Sequence, residues 1–596
     1  MKKNKENKKK LGLFYVLKNI FPTIFKANPA AFIVMALGFV VSASGATVIM
    51  HLNRNLYDKV ASLIGGNAAF AAVLPALLAV VGGKIVLDLF RTGQFMFIDL
   101  GYFQGNAVKL RSTIHKKLGR IDPILYEDKD FNDTVEKADQ GVYSALGYLN
   151  SVTSIVFYCI PYLLIMSWYL FTIKPIFVVM IVLIFVPAFL VKLSQIKVHA
   201  HMEDTVAPYR RAMNYYEDVL TKPKHFKETR ILGAGLFFRT LYETVQAIFI
   251  KTEWKVIRKV KLTFFYGRLV TLLGYVGVLW LLVDSLLAGE ISVGAFAAVF
   301  TSIESVFWTV SQIADESSGL VENAGRVSNY IEFLKLEERG GEVGEIADGE
   351  IVLKNVSFSY PGREEKTLDN LSLRIKSGET VAIVGANGAG KSTLVRLMSG
   401  IYLPNEGSVT VGGLDTAKYT PSSIRERMSA VFQKFNRYKL PLRENIAISQ
   451  GKLQGDDGRI TAACADAGVE YSSEVYPKGL DTMLAKEYDG IELSGGQWQR
   501  VAIARGLYRN HDIIMLDEPT AAIDPLEESR LYSGFAELSK GKTSVLVTHR
   551  LGSARIADRI VVMEKGRIVE SGTHDELIKA KGAYAEMFDS QAKWYA

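Results

Sequence analysis

With 596 residues, two cysteines and 49% apolar residues, the chain is too long for one hydrophobic core and too cysteine-poor for a disulfide-stapled secreted fold. Its mean hydropathy of +0.15 is high for a soluble protein, and the excess sits in the first half, in runs long enough to cross a bilayer. The net charge of +8 comes from Lys and Arg between those runs, so positive charge on the cytoplasmic side of a membrane accounts for it and no nucleic-acid partner is expected.

In chain order, a lysine block (Met1 to Lys10) leads into an amphipathic segment, Leu11 to Lys26, expected to lie as a helix in the membrane interface. Six apolar segments follow near Pro29–Leu52, Ala68–Phe90, Leu146–Phe171, Pro175–Leu193, Phe264–Leu287 and Val293–Ala314, each reaching the ~20 residues that a helical span needs. The links after the second and fourth are long, on the order of 55 and 70 residues, polar and helical in pattern, so the spans should continue beyond the bilayer as long helices. The second of these links is strongly basic, which places it, and with it both termini, in the cytoplasm. Cys159 in a span and Cys464 in the soluble half suggest a reducing compartment and no metal site. The expected organisation is a tail and interfacial helix over 1–28, a six-span membrane domain over 29–333, a Glu/Gly-rich linker over 334–349 and a soluble α/β domain over 350–596.

The soluble part turns strand-rich: Ile351–Leu353, Ser357–Tyr360 and Leu371–Ile375 read as strands. The apolar run Val381–Val384 then feeds Gly385-Ala386-Asn387-Gly388-Ala389-Gly390-Lys391-Ser392-Thr393 and a helix. This is the phosphate loop G-x-x-x-x-G-K-[ST]: Gly385, Gly388 and Gly390 let backbone N–H groups converge on phosphate oxygens, Lys391 reaches the outer phosphates and the Ser392 hydroxyl ligates magnesium. The chain therefore binds a nucleoside triphosphate. About 120 residues later the strand Ile513–Leu516 ends in Asp517-Glu518, the first acid placed to hold magnesium and the second to orient an attacking water. Between them, Ser494-Gly495-Gly496-Gln497 opens a helix and makes a second anion site; one nucleotide needs only one such loop, so it suits a nucleotide bound elsewhere, on another copy, or else is a capped helix start.

Leu493 to Gln497, the phosphate loop and Asp517-Glu518 together resemble the ATP-binding cassette family, and six preceding spans fused to that domain resemble its half-transporter exporters. The resemblance implies a helical six-span membrane domain joined to a P-loop ATPase, with ATP and Mg2+ as ligands. It implies that two cassettes pair head to tail, so that Ser494 and Gly496 of one close over the γ-phosphate held by the other. It further implies that Tyr360 stacks on adenine, that Gln433 senses the γ-phosphate and magnesium, that Asp524 is the D-loop aspartate and that His549 is the switch histidine beside the base Glu518. Two stretches depart from the pattern. Lys486 to Gly490 stands where exporters often carry Gly-Glu-Arg-Gly, leaving Glu487 unassigned, and the D-loop, Ala521 to Asp524, lacks its leading serine.

Tyr126 to Asp133 and Lys227 to Gly233, inside the two long links, resemble the family's coupling helices. Gln433 to Tyr438, Arg443 to Ile446 and Ile491 to Arg500 resemble bacterial exporters of modified peptides such as lantibiotics. No cysteine-protease domain precedes the spans, so a leader peptide would be removed elsewhere. In the sixth span Thr301, Glu304, Ser305, Trp308, Gln312 and Asp315 share one helical face, and an intramembrane acid marks a pathway or a buried partner. Glu304 and Trp308 are thus expected to line a cavity for cationic or amphipathic cargo. The expectation is ATP-driven export of a peptide or amphipathic substrate across the cytoplasmic membrane of a bacterium by a homodimer. A heterodimer subunit, an importer of the same fold and an ATP-regulated membrane sensor are the alternatives.

Overall fold

The computed structural model describes residues 13–67, 69–179, 182, 186, 206, 208–451, 455–472, 474–519 and 540–595. The chain divides into two units, Met1–Lys117 with Asp133–Leu336, and Leu118–Asn132 with Glu337–Ala596.

The first unit is helical. Helix α1 (Leu13–Ala27) buries one stripe, Val16, Ile20 and Ile24, as an amphipathic surface helix should. The Asn28 side chain then accepts from the Ala31 N–H and Pro29 takes the first turn of α2 (Pro29–Ile64). Helix α3 (Phe70–Met96) runs through a π-helical stretch, Phe97–Gln104, into α4 (Gly105–Leu118). Helix α5 (Lys129–Ser154) similarly passes through Ile155–Cys159 into α6 (Ile160–Ile173). The short α7 (Phe226–Ile231) precedes α8 (Gly235–Leu287) and α9 (Val293–Leu334). Among the described residues five helices are long and apolar enough to cross a membrane: Pro29–Ile64, Phe70–Leu118, Lys129–Ile173, Phe265–Leu287 and Val293–Leu334. At 1.5 Å per residue a ~30 Å hydrocarbon layer takes up only about 20 residues, so helices of 49, 45 and 42 residues continue well past it. The fourth expected span, Pro175–Leu193, lies largely outside the described residues, as does the lysine block.

Met50, Met166, Leu170, Leu282, Val299, Ile303 and Val306 form a core shared by α2, α6, α8 and α9. Helices α5 and α9 meet instead along a polar, small-residue seam. The Gln312 amide donates to Ser154 Oγ at 3.1 Å, and Ser151 donates to Glu316. Gly141 lies so close to Arg326 and Tyr330 that any side chain there would collide with them. Gln312, on the face it shares with Glu304 and Trp308, therefore spends its amide on a neighbouring helix.

The second unit holds two sheets. Strands β1 (Ile351–Phe358), β2 (Leu368–Ile375), β4 (Glu406–Val411) and β5 (Leu414–Asp415) form an antiparallel sheet in the order β2-β1-β4-β5. The two strands expected over Ile351–Leu353 and Ser357–Tyr360 are one, β1, whose register shift between Leu353 and Val356 carries it through the polar interruption; Tyr360 lies beyond its end. The other sheet orders β10-β9-β3-β8-β7-β6, with β3 (Thr380–Gly385), β6 (Met428–Val431), β7 (Ile513–Asp517), β8 (Thr543–Val547), β9 (Arg559–Glu564) and β10 (Arg567–Gly572). Its pairings from β9 to β6 are parallel. Such strands are covered on both faces and read as unbroken apolar runs. In β3, Val381 and Ile383 face the core shared with the antiparallel sheet, and Ala382 and Val384 face a second core with Leu551, Leu577 and Tyr584.

Candidate nucleotide site

Four parallel strands end side by side, and candidate site residues lie at or within two residues of each end. The phosphate loop leaves β3, Gln433 lies two residues after β6, Asp517 closes β7 with Glu518 next, and His549 lies two residues after β8. Register fixes this convergence: Ile383 pairs with Val547, Asp517 with Val547, and Val431 with Leu516. Ligand sites in parallel sheets form at these carboxyl ends. An open cleft of about 500 Å³ lies there, lined by Tyr360, Asn387 to Thr393, Gln433, Glu518 and His549.

The loop needs its glycines for different reasons. Gly385 has φ 147°, and a side chain on it would run into the Met563 carbonyl oxygen of the adjacent strand. Gly390, at φ 98°, is the left-handed residue that caps the helix Lys391–Met398, whose first N–H groups face the cleft. Lys391 Nζ donates to the carbonyl oxygens of Gly385 (2.8 Å) and Ala386 (3.1 Å), inside the loop it serves. Burial pushes its pKa down, with Glu518 and Asp517 pulling the other way, so a phosphate would restore what burial withdraws.

Ser392 Oγ donates to Asp517 Oδ1 at 3.1 Å. Asp517 is only 3% exposed, and burial raises its pKa against the opposing pull of Ser392. A hydroxyl and a buried carboxylate at this spacing, with the Gln433 amide nearby, form the hard-oxygen donor set that suits magnesium. Glu518 sits in the left-handed region, φ 49°, a strained place for a non-glycine residue that turns its carboxylate into the cleft. It accepts from Gln433 Nε2 at 2.6 Å, and His549 Nδ1 is 3.5 Å from its other oxygen. Acid, amide and imidazole thus meet around one point above the phosphate loop.

Tyr360 stands at the cleft wall. Its ring packs edge-on to Phe358 (5.1 Å) and Tyr402 (6.0 Å), and its hydroxyl lies 3.0 Å from Thr393 Oγ1 and accepts from Arg396 Nη1 at 2.9 Å. Sequence reasoning missed Arg396, which reaches the cleft only through Tyr360, and it missed Arg363 and Thr367, which line it. The one signal was a cation on the helix that the phosphate loop opens.

Ser494, Gly495, Gly496 and Gln497 do not line this cleft. They begin the helix Gly495–Tyr508 with a complete capping box: Ser494 Oγ accepts from the Gln497 N–H, and Gln497 Oε1 accepts from the Ser494 N–H. Trp498, Val501 and Ala504 anchor the helix in a separate core. Glu487 pairs with Lys439 at 2.8 Å, both exposed. Glu304 and Trp308 are exposed on α9 of the first unit. Asp524 lies outside the described residues.

Residues 368–521 match the family model described as ABC transporter. The chain is 28% identical over 608 residues to the subtilin transport ATP-binding protein SpaT of Bacillus subtilis, covering 98% of this chain and 96% of that one. The nisin transport ATP-binding protein NisT of Lactococcus lactis subsp. lactis is 31% identical over 387 residues, 63% of this chain and 64% of its own length. The ATP-dependent lipid A-core flippase of Escherichia coli (strain K12) is 28% identical across 98% of this chain and 99% of the flippase. The solved structure of a bacterial Atm1-family ABC exporter with ATP bound superposes with a TM-score of 0.78 at 22% identity, over 94% of this chain and 100% of that one, which shows that the folds agree.

Proposed function

Because the chain is a half-transporter of the ABC exporter family, we propose that two copies of it hydrolyse ATP to export a peptide or amphipathic cargo across a bacterial cytoplasmic membrane. The observation that carries this reading is the separation of two anion sites in one chain. The phosphate loop, Gln433, Glu518 and His549 share a cleft that Ser494 to Gln497 do not line, with Asp517 bonded to Ser392 at its floor, so a second copy, facing the first head to tail, completes it.

In each site the loop N–H groups and Lys391 bind the phosphates, and Tyr360 receives the adenine. Ser392 and Gln433 would ligate Mg2+ directly and Asp517 through water; the bound ion neutralises charge on the outer phosphate oxygens. Glu518 orients the attacking water, held by Gln433 on one side with His549 on the other. Ser494 and Gly496 of the second copy then present a hydroxyl and a helix start to the γ-phosphate. Both termini lie in the cytoplasm, and Tyr126 to Asp133 and Lys227 to Gly233 carry the motor's movement to the membrane helices.

The cargo reading is supported by the relatives named for subtilin and nisin transport and by the carboxylate and indole exposed on α9. Inside-out vesicles holding the protein should take up a cationic amphipathic peptide with ATP, and Glu518→Gln should abolish uptake while keeping ATP binding. Removing a water-orienting base costs about 10²–10⁴ in turnover. Uptake that persists in Glu518→Gln would overturn the assignment of the base, and ATPase without movement of peptide or lipid would favour the sensor.

A further inference from the structure

We propose that Glu127 couples the first cytoplasmic link to the adenine-stacking surface through a cation they share, Arg396, so that nucleotide on Tyr360 sets how firmly the link is held. The inference rests on the nucleotide reading above and deepens it.

The link belongs, by its contacts, to the ATPase unit: Leu118–Asn132 groups with Glu337–Ala596. Within it the turn Pro123–Glu127 starts at Asp122, whose carboxylate accepts from the Ile124 N–H, with Pro123 in the first position. Among the contacts that hold it down, three matter here. The Arg339 N–H donates to the Arg120 carbonyl at 2.8 Å, and Ile124 packs on the core between the sheets. The third point is Glu127, whose two partners in turn touch Tyr360 at the wall of the nucleotide cleft.

Glu127 Oε1 accepts from the Tyr402 hydroxyl, and Arg396 Nη1 stands 3.7 Å from the same oxygen. That same Nη1 donates to Tyr360, whose hydroxyl reaches Thr393, two residues after the phosphate-loop lysine. The Arg396 guanidinium also lies 5.6 Å over the Tyr402 ring. Tyr402 is 4% exposed, so without Glu127 its hydroxyl would lack its acceptor. The two contacts of Glu127 therefore differ in kind. The bond from buried Tyr402 is an anchor, whereas the half-exposed pair with Arg396 is weak and adjustable. One guanidinium nitrogen serves both a carboxylate on the link and a phenol at the adenine wall. A purine that fixes the Tyr360 ring changes what Arg396 can offer Glu127.

The test is hydrogen exchange at residues 118–132 of the full chain in lipid nanodiscs, with and without saturating Mg-ATP. In the wild type ATP should slow exchange there. In Glu127→Gln and in Arg396→Met at least two thirds of that slowing should vanish, and the double variant should lose no more than either alone. Affinity for ATP should stay within twofold in Glu127→Gln. Tyr402→Phe should speed exchange equally with and without ATP, since it removes the anchor and leaves the adjustable pair. The proposal is overturned if the two single variants keep the wild-type response, if their losses add, if wild type binds ATP with no change at 118–132, or if Glu127→Gln loses tenfold in affinity. Failure of the nucleotide reading shows itself separately, as ATP binding that Lys391→Ala leaves intact.

Discussion

Under the proposed function Tyr360 has two jobs, and a pair of substitutions separates them. Its ring offers a stacking face, and its hydroxyl bonds to Thr393 and Arg396. Tyr360→Ala should raise the Michaelis constant for ATP by the loss of a stacking surface, about 1–3 kcal/mol by analogy with base stacking elsewhere. Tyr360→Phe should keep most of that affinity. Titrating ATPase rate against ATP in both variants checks this; equal loss in the two would mean that the hydroxyl, not the ring, matters. The sequence announced Lys391, Ser392, Asp517 and Glu518, because each sits at a fixed offset from a glycine turn or a strand end, whereas Tyr360 came from the family resemblance alone. It said nothing of Arg396 beside Glu127, whose 269-residue separation carries no periodicity to read. Nor did it show that Gln591 donates to the His549 carbonyl and accepts from the Leu551 N–H at 2.9 Å, a clamp on the loop after β8 supplied by the helix Ala583–Tyr595.

The helix Gly495–Tyr508 separates stability from chemistry. Its capping box makes Ser494→Ala a stability change of about 1 kcal/mol if capping is its whole duty. If Ser494 also meets a nucleotide held by a second copy, ATPase should fall tenfold or more while the melting temperature moves only a few degrees. Measuring both on one preparation decides the matter. At the start of β3, Glu379 accepts from Arg559 at 2.6 Å and from the Lys376 N–H at 2.7 Å. Burial pushes its carboxyl up, but Arg559 and that amide outweigh it, and the pKa lies below the ordinary 4.5. A depressed carboxyl contributes stability that is fully present above its unfolded value and is lost as pH falls through the folded one. Glu379→Gln should therefore melt lower than wild type by a constant gap at pH 6 to 5, and the gap should close below about pH 4.5. A gap that widens on acidification would contradict the ion pair. The strands β3 and β7 were legible because Val381–Val384 and Ile513–Leu516 are unbroken apolar runs; β8, which opens on Thr543 and Ser544, was not read as one. The π-helical stretches in α3–α4 and α5–α6 were not legible, since a one-residue change in hydrogen-bond spacing leaves no mark in composition.

Across the chain the division into an apolar helical half and an α/β half was plain from hydropathy alone. The cargo was not, because the motor carries the strong motifs and never meets it. The α9 stripe shows why: Gln312 turned out to bind α5, while Glu304 and Trp308 stayed exposed. An acid at mid-membrane costs about 2.5–3.5 kcal/mol on insertion scales, which favours a use for it. Glu304→Gln should lower peptide-stimulated ATPase several-fold and leave basal ATPase and yield unchanged; unaltered stimulation would return Glu304 to a purely structural place.

The membership of Leu118–Asn132 in the ATPase unit also has a consequence for how the chain is made. The link leaves the ribosome roughly 200 residues before the strands that receive it, and at about 5–20 residues per second that is a wait on the order of ten to forty seconds. Throughout that time Ile124 and Glu127 have no seat, since the core and the tyrosine that hold them are not yet synthesised. The motor therefore closes by capturing a segment already tethered to the membrane. An ATPase domain expressed from Glu337 onward lacks Leu118–Asn132, the fifteen residues of its own unit made before the rest, and carries an open seat where Ile124 should lie.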